Sequence, residues 1–308
     1  MFISGCEKQQ IENIAAKVND DIITQEEFDK DFEIAKRIHQ KNYGEDILSQ
    51  EIDNDKTYEE ALKENMLEKM IIGSLISGEL DNMNITITDD EVESVIKTHY
   101  IDGLGGEDKY REYLENNGFT EDFFKKELKR EIMIQKHREN FLNKIDLKED
   151  EIKKYFDENE ENLIKVKASQ ILIKTEEKAN EILKRLEKGE DFYDLIAKES
   201  SDENSGVKGR DLGYFTKGTS LKEYKELEDV AFKLEVGDIS DLVKTQLGYH
   251  IILIEDRKDN YGDLKEDIIS TIKDERYIEE ISNLKDKADI EIYMENRKDK
   301  KDEDNKKK

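Results

Sequence analysis

The sequence predicts an α+β protein: a helical arm, a middle region in which strands and helices alternate, and a closing helix. Three observations carry this. Apolar residues recur at helical spacing from Ile11 to Asn162. The stretch Val166–Arg257 instead reads strand, helix, helix, strand, helix, strand, strand. After it, Leu264, Ile268, Ile272, Ile278, Ile281 and Leu284 restore a helical stripe over Asp263–Ala288.

Taken in order, the arm opens with Val18-Asn19-Asp20-Asp21-Ile22-Ile23, a short strand and turn. Thr24 with Glu27 forms a capping box that opens a helix through Phe28, Phe32 and Ala35. A long helix is predicted over Thr57–Met83, with Leu62, Met66, Met70, Ile71, Leu75 and Leu80 on its apolar side. Thr88 with Glu91 repeats the box, and Thr120 caps a helix carrying Phe123, Phe124, Leu128, Ile132 and Phe141. Asp150–Asn159 carries Ile152, Tyr155 and Phe156. Met66, Met70, Met83 and Met133 at such spacing read as core rather than as a flexible binding groove. His39, His99 and His137 have no partner pattern and are expected at the surface.

In the middle region, Val166-Lys167-Ala168-Ser169-Gln170-Ile171-Leu172-Ile173 alternates and is rich in β-branched residues, as a strand is. Ala179, Ile182, Leu183 and Leu186 mark a helix that stops at Gly189, and Asp191–Lys198 a second. Leu212–Phe215 reads as a strand and Leu227–Leu234 as a helix. Leu242–Lys244, a turn at Gln246-Leu247-Gly248, and Tyr249–Glu255 form a hairpin.

At 308 residues the length allows about two domains. Charged residues make up 42% of the chain, which suits thin amphipathic helices with solvated faces. A net charge of −27 leaves no basic stripe to neutralise phosphates, so nucleic acid is excluded as a partner, while cationic unfolded chains are weakly attracted. Gly103-Leu104-Gly105-Gly106 is no nucleotide loop, because no strand precedes it. A single cysteine allows no internal disulfide. With no proline, X-Pro isomerisation cannot limit this chain's own folding. Asn296–Lys308 is a charge run without apolar residues and reads as a disordered tail.

Two strings, Asp211-Leu212-Gly213-Tyr214-Phe215 and Gly248-Tyr249-His250-Ile251-Ile252, are the most specific in the chain. With Val166–Leu172, Asp202, Gly209, Ala231-Phe232, Val236-Gly237-Asp238-Ile239-Ser240 and Val243–Ile252, they resemble the parvulin family of peptidyl-prolyl isomerases over about the middle third of the chain. The resemblance implies a four-stranded antiparallel sheet with surrounding helices. It also implies rotation of X-Pro bonds in client chains, with no cofactor, metal or covalent nucleophile. The family's polar site has a histidine on the first strand, a histidine on the last and a Cys or Asp on the loop between. His250 and Asp202 stand at the last two positions, and Gln170 replaces the first histidine. Glutamine holds hydrogen bonds but cannot titrate, which suits a hydrogen-bonding role better than acid–base work. Leu212 and Phe215 are implied in the apolar proline pocket, with Leu227 at the family's Phe position and Leu221 or Tyr224 at its Met position.

The arm resembles, on helix order and a few positions, the amino-terminal domain of the SurA and PrsA chaperone-foldases, in which a carboxy-terminal helix returns to that domain. This divides the chain into a tether (1–10), a helical chaperone-like domain (11–163), an isomerase domain (164–257), a returning helix (258–295) and the tail (296–308). Ile3-Ser4-Gly5-Cys6 matches the end of a bacterial lipoprotein signal, in which small residues precede the acylated cysteine. An anchor at Cys6 on the outer face of a bacterial membrane follows, with the apolar signal core expected upstream; an ordinary terminal cysteine is the alternative. The implied partners are unfolded secreted chains bearing X-Pro bonds. Dimerisation through the helical arm is left open. The competing function is a chaperone whose altered site only binds extended peptides.

Overall fold

The computed structural model describes residues 13–53, 56–200, 210–219 and 224–294. They form two compact units: one from the residues up to Ile145 together with those from Asp274 on, the other Asp146–Lys273.

The first unit begins with strand β1 (Ile14–Val18), a turn that places Asn19 at φ +54°, and β2 (Asp21–Thr24). Asn19 tolerates the left-handed region, and its side chain accepts from the Asp289 amide at 2.9 Å. Thr24 caps α1 (Gln25–Tyr43) by accepting from the Glu27 amide. A short hairpin follows, β3 (Glu51–Asp53) and β4 (Lys56–Thr57). The long helix is α2 (Tyr58–Asn82), bounded by Thr57 and Met83 as caps; Thr57 and Glu60 close a full capping box. Next come α3 (Asp89–Val95), which runs on as a π-helix through Asp102, then α4 (Glu107–Asn117) and α5 (Glu121–Leu142).

Two cores hold this unit. Ala15, Ala16, Val18, Phe28 and Phe32 pack on Met70, Ile71 and Leu75 of α2. Ile76 and Leu80 pack with Val92, Ile96, Leu114, Phe124 and Leu128. Met70 is buried core, as its spacing suggested. His137, expected at the surface, is 1% exposed and meets the Tyr277 hydroxyl at 3.1 Å, because Tyr277 arrives from the far end of the sequence.

In the second unit, α6 (Glu149–Leu163) precedes β5 (Lys165–Ile173), α7 (Glu176–Glu187), α8 (Phe192–Glu199), β6 (Arg210–Thr216), α9 (Lys225–Ala231), β7 (Val243–Lys244) and β8 (Tyr249–Lys258). The sheet is antiparallel in the order β6-β5-β8-β7. β5 is central, which explains its near-continuous burial. Ile171 and Ile173 face Ala179, Ile182, Leu195 and Ile196 of α7 and α8. Val166 and Ala168 face Leu227 and Ala231 of α9.

The closing helix is α10 (Tyr261–Lys287). Its residues up to Lys273 belong to the sheet-bearing unit, where Leu264, Ile268 and Ile272 pack on Ile152 and Phe156 of α6. Both segments therefore group with the sheet, whereas the sequence division put 146–163 with the helical arm. The later residues of α10 return to the helical unit, where Ile281 packs beside the Ile76 and Leu80 cluster. Ile278, counted in the helical stripe, is 69% exposed. A strand absent from the sequence reading, β9 (Ile290–Ile292), then pairs with β1 and completes a sheet ordered β2-β1-β9.

Candidate functional site

The α9-facing side of the β5–β8 sheet carries a buried polar file inside an otherwise apolar layer. His250 follows the β7–β8 turn, whose closure depends on Gly248. This residue sits at φ +143°, and a Cβ there would lie 2.6 Å from the Ile173 carbonyl. Thr245 holds the turn: its amide donates to the Gly248 carbonyl at 2.9 Å, and its hydroxyl oxygen accepts from the Leu247 amide at 3.1 Å.

The same hydroxyl reaches His250 Nε2 at 2.7 Å, and Nδ1 reaches Gln170 Oε1 at 2.8 Å. An amide oxygen only accepts, so Nδ1 donates to it, while the Thr245 hydroxyl engages Nε2 and donates to it when the ring is neutral. His250 is 0% and Gln170 1% exposed. Gln170 Nε2 is buried without a hydrogen-bond partner among the described residues. Such an orphan donor costs about 1–3 kcal/mol. The file is thus an ordered link whose histidine nitrogens are both engaged.

Around it, Tyr224 sets its ring edge-on to His250, with centroids 6.3 Å apart. Leu212, Phe215 and Tyr224 are half-buried against the cluster that contains Leu227 and Ala231. Phe215 packs edge-on against Phe232 at 5.8 Å. Gly218 donates its amide to the buried Glu228 carboxylate at 2.8 Å, tying the end of β6 to α9. The structure therefore brings Gln170, His250, Leu212, Phe215, Leu227 and Tyr224 to one face of one sheet. Asp202, Leu221 and Cys6 lie outside the described residues.

Sequence reasoning missed Thr245. Its signal was available in the spacing Thr245-Gln246-Leu247-Gly248-Tyr249-His250, where a hydroxyl precedes a tight turn and returns to the histidine. On the opposite face, Ser169 and Tyr193 donate to Glu255, and Lys167 pairs with it at 2.9 Å. Burial alone raises the Glu255 pKa, but these donors outweigh it and hold the carboxyl below its usual range. Among the described residues, no group of His, Cys, Asp and Glu could hold a metal ion, and no helix is long and apolar enough to cross a membrane.

Comparison with known proteins follows the two units. Residues 2–138 match the SurA-like N-terminal domain, and residues 151–258 the PPIC-type PPIASE domain. The foldase protein PrsA of Halalkalibacterium halodurans is 34% identical over 238 residues, 74% of this chain and 69% of that protein. The foldase protein PrsA of Caldanaerobacter subterraneus is 33% identical over 245 residues, 79% of this chain and 73% of that protein. The crystal structure of PrsA from Bacillus subtilis covers 91% of this chain and 94% of its own at 26% identity, with a TM-score of 0.35. The chain belongs to the PrsA family of foldase proteins, joining a SurA-like amino-terminal domain to a parvulin-type isomerase domain.

Proposed function

We propose that the protein catalyses cis–trans isomerisation of X-Pro bonds in unfolded secreted chains, held outside a bacterial membrane by a lipid on Cys6. The observation that carries this reading is the pairing of a fixed polar file, Thr245–His250–Gln170, with the apolar wall of Leu212, Phe215 and Leu227. Rotation about X-Pro faces a barrier of ~18–20 kcal/mol because amide resonance must be broken. The planar amide is more charge-separated than the twisted one, so a water-excluding apolar pocket favours the twisted state. The file's role is positioning. With both histidine nitrogens engaged, it shapes the pocket edge near the prolyl carbonyl. Asp202, by its resemblance to the family's loop position, is the remaining polar group of the proposed site.

The test is the isomerisation rate of short X-Pro peptides with the full chain, varying the residue before proline. Acceleration that falls in Asp202→Ala and Phe215→Ala supports catalysis. A folded chain that leaves the rate unchanged defeats it. A second reading, a chaperone that binds extended peptides without turning them over, rests on Gln170 in place of the family's histidine. A Gln170→His variant that gains activity from near zero would mark that state.

A further inference from the structure

The helical unit contains a cavity of about 480 Å³ that the isomerase reading does not use. Ile38, Leu62, Met66, Tyr100, Tyr113 and Phe119 line it, and each is only half-buried. Its size and its apolar, aromatic lining suit a large side chain. Its charges are already spent: Lys69 and Arg130 both pair with Glu127, leaving Glu131 as an added carboxylate. Through Phe123 it adjoins a second hollow of about 330 Å³. There Glu26, Glu27, Asp31 and Asp122 outnumber Lys30 and Lys126. Glu27 and Asp31 share Lys126, whereas Glu26 and Asp122 make no ion pair among the described residues.

An apolar hole beside an acidic one, sharing a phenylalanine wall, selects a two-part ligand. We infer that this double cavity binds an extended segment of unfolded polypeptide in which a large apolar or aromatic residue stands next to Lys or Arg. The aromatic side chain enters the larger cavity, and the neighbouring cation lies against Glu26 and Asp122. Nothing in the recognition requires proline, so client capture by the helical unit is independent of the bond that the other unit turns. The inference rests on the proposal that the chain holds unfolded clients.

Proline-free fluorescent nonapeptides in a Gly/Ser/Asn background, carrying Phe-Lys, Ala-Lys or Phe-Glu at the centre, test it by anisotropy with the full chain. Burial of one aromatic side chain predicts that the Phe-Lys peptide binds about tenfold or more tighter than the Ala-Lys peptide. The Phe-Glu peptide is expected to bind weakly as well, repelled by the acidic hollow. Met66→Gln erases the preference for Phe, and the double variant Glu26→Gln with Asp122→Asn erases the preference for Lys. Leu62→Gln replaces Met66→Gln if the latter does not fold. Equal binding of the three peptides, or preferences that survive these substitutions, overturns the inference. Suppression of aggregation of an unfolded client, measured in parallel, separates the two readings. A chain that suppresses aggregation but binds the peptides equally refutes only this site, and one that does neither refutes the holding function as well.

Discussion

His250 and Gln170 are hydrogen-bonded at 2.8 Å although neither is the other's cross-strand partner. His250 stands opposite Leu172, and Gln170 opposite Ile252. The bond runs diagonally across β8 and β5, a distance that short side chains do not span and glutamine does. Both residues are sealed from water, so this one diagonal fixes the imidazole's plane and makes Nδ1 a donor.

If that bond shapes the isomerase pocket, removing either end lowers the rate without abolishing client binding. We expect His250→Ala and Gln170→Leu each to reduce kcat/KM by roughly 10²-fold, with the loss in kcat, as when one preorganised hydrogen-bonding group is removed. Protease-coupled peptide assays on the full chain check this. A fall confined to KM would point instead to a site that only binds.

Thr245 sets the other nitrogen. Nitrogen-15 spectra of the imidazole are expected to show Nε2 as the unprotonated position. Thr245→Val deletes the donor to Nε2 and the acceptor for the Leu247 amide. The variant shifts that resonance and costs about 1–3 kcal/mol of stability. Thr245→Ser, which keeps the hydroxyl, restores both; a resonance that is the same in all three proteins rules the link out.

Gly248 is the steric hinge of the site. An added methyl meets the Ile173 carbonyl at 2.6 Å, and the φ of +143° already disfavours any side chain. Gly248→Ala is predicted to destabilise the sheet-bearing unit by about 2–3 kcal/mol and to displace His250. Urea unfolding followed by circular dichroism measures the first effect. Gly44→Ala serves as the comparison, since a Cβ at Gly44 has nothing within 4 Å.

The helical unit should weaken in mild acid because of His137. Burial pushes its pKa below the usual histidine value, against the pull of Glu79 and Glu280, with Lys144 adding to the depression. Burial likewise raises the Tyr277 hydroxyl beside it, to about 12. A histidine that is harder to protonate when folded leaves stability complete above its unfolded pKa. Stability then falls as the pH drops from there towards the folded value, by at most about 1.4 kcal/mol per pH unit. Unfolding curves between pH 7.5 and 5 are expected to show this slope in the wild type and a shallower one in His137→Phe, the remainder coming from His39, whose pKa burial also lowers. An unchanged slope in the variant assigns the effect elsewhere.

Much of the fold was legible because its signals are local. Thr24 and Glu27 sit three residues apart and the Thr24 hydroxyl accepts from the Glu27 amide, so the start of α1 could be read from four residues. β5 showed itself by a run of β-branched and apolar residues, and α7 by its stripe and the glycine after it. Gln170, His250, Leu212 and Phe215 could be named in advance because each lies inside a short distinctive string. What was hidden is non-local. β9 is three residues long and becomes a strand only by pairing with β1, at the other end of the chain. His137 has an unremarkable helical neighbourhood, and its burial comes from Tyr277, 140 residues away.

The sequence by itself determined the helical arm, the strand–helix order of the middle region, the family, and the replacement of a histidine by Gln170. All of these follow from periodicity, caps and strings a few residues long. The tertiary structure alone decided that α6 and the first part of α10 pack on each other within the sheet-bearing unit, and that Thr245 closes the file on His250. It also decided that half-buried apolar residues from several helices converge beside an acidic hollow. These depend on which surfaces meet, and burial is a property of the neighbours a residue acquires when the chain folds, which its own position in the sequence does not encode.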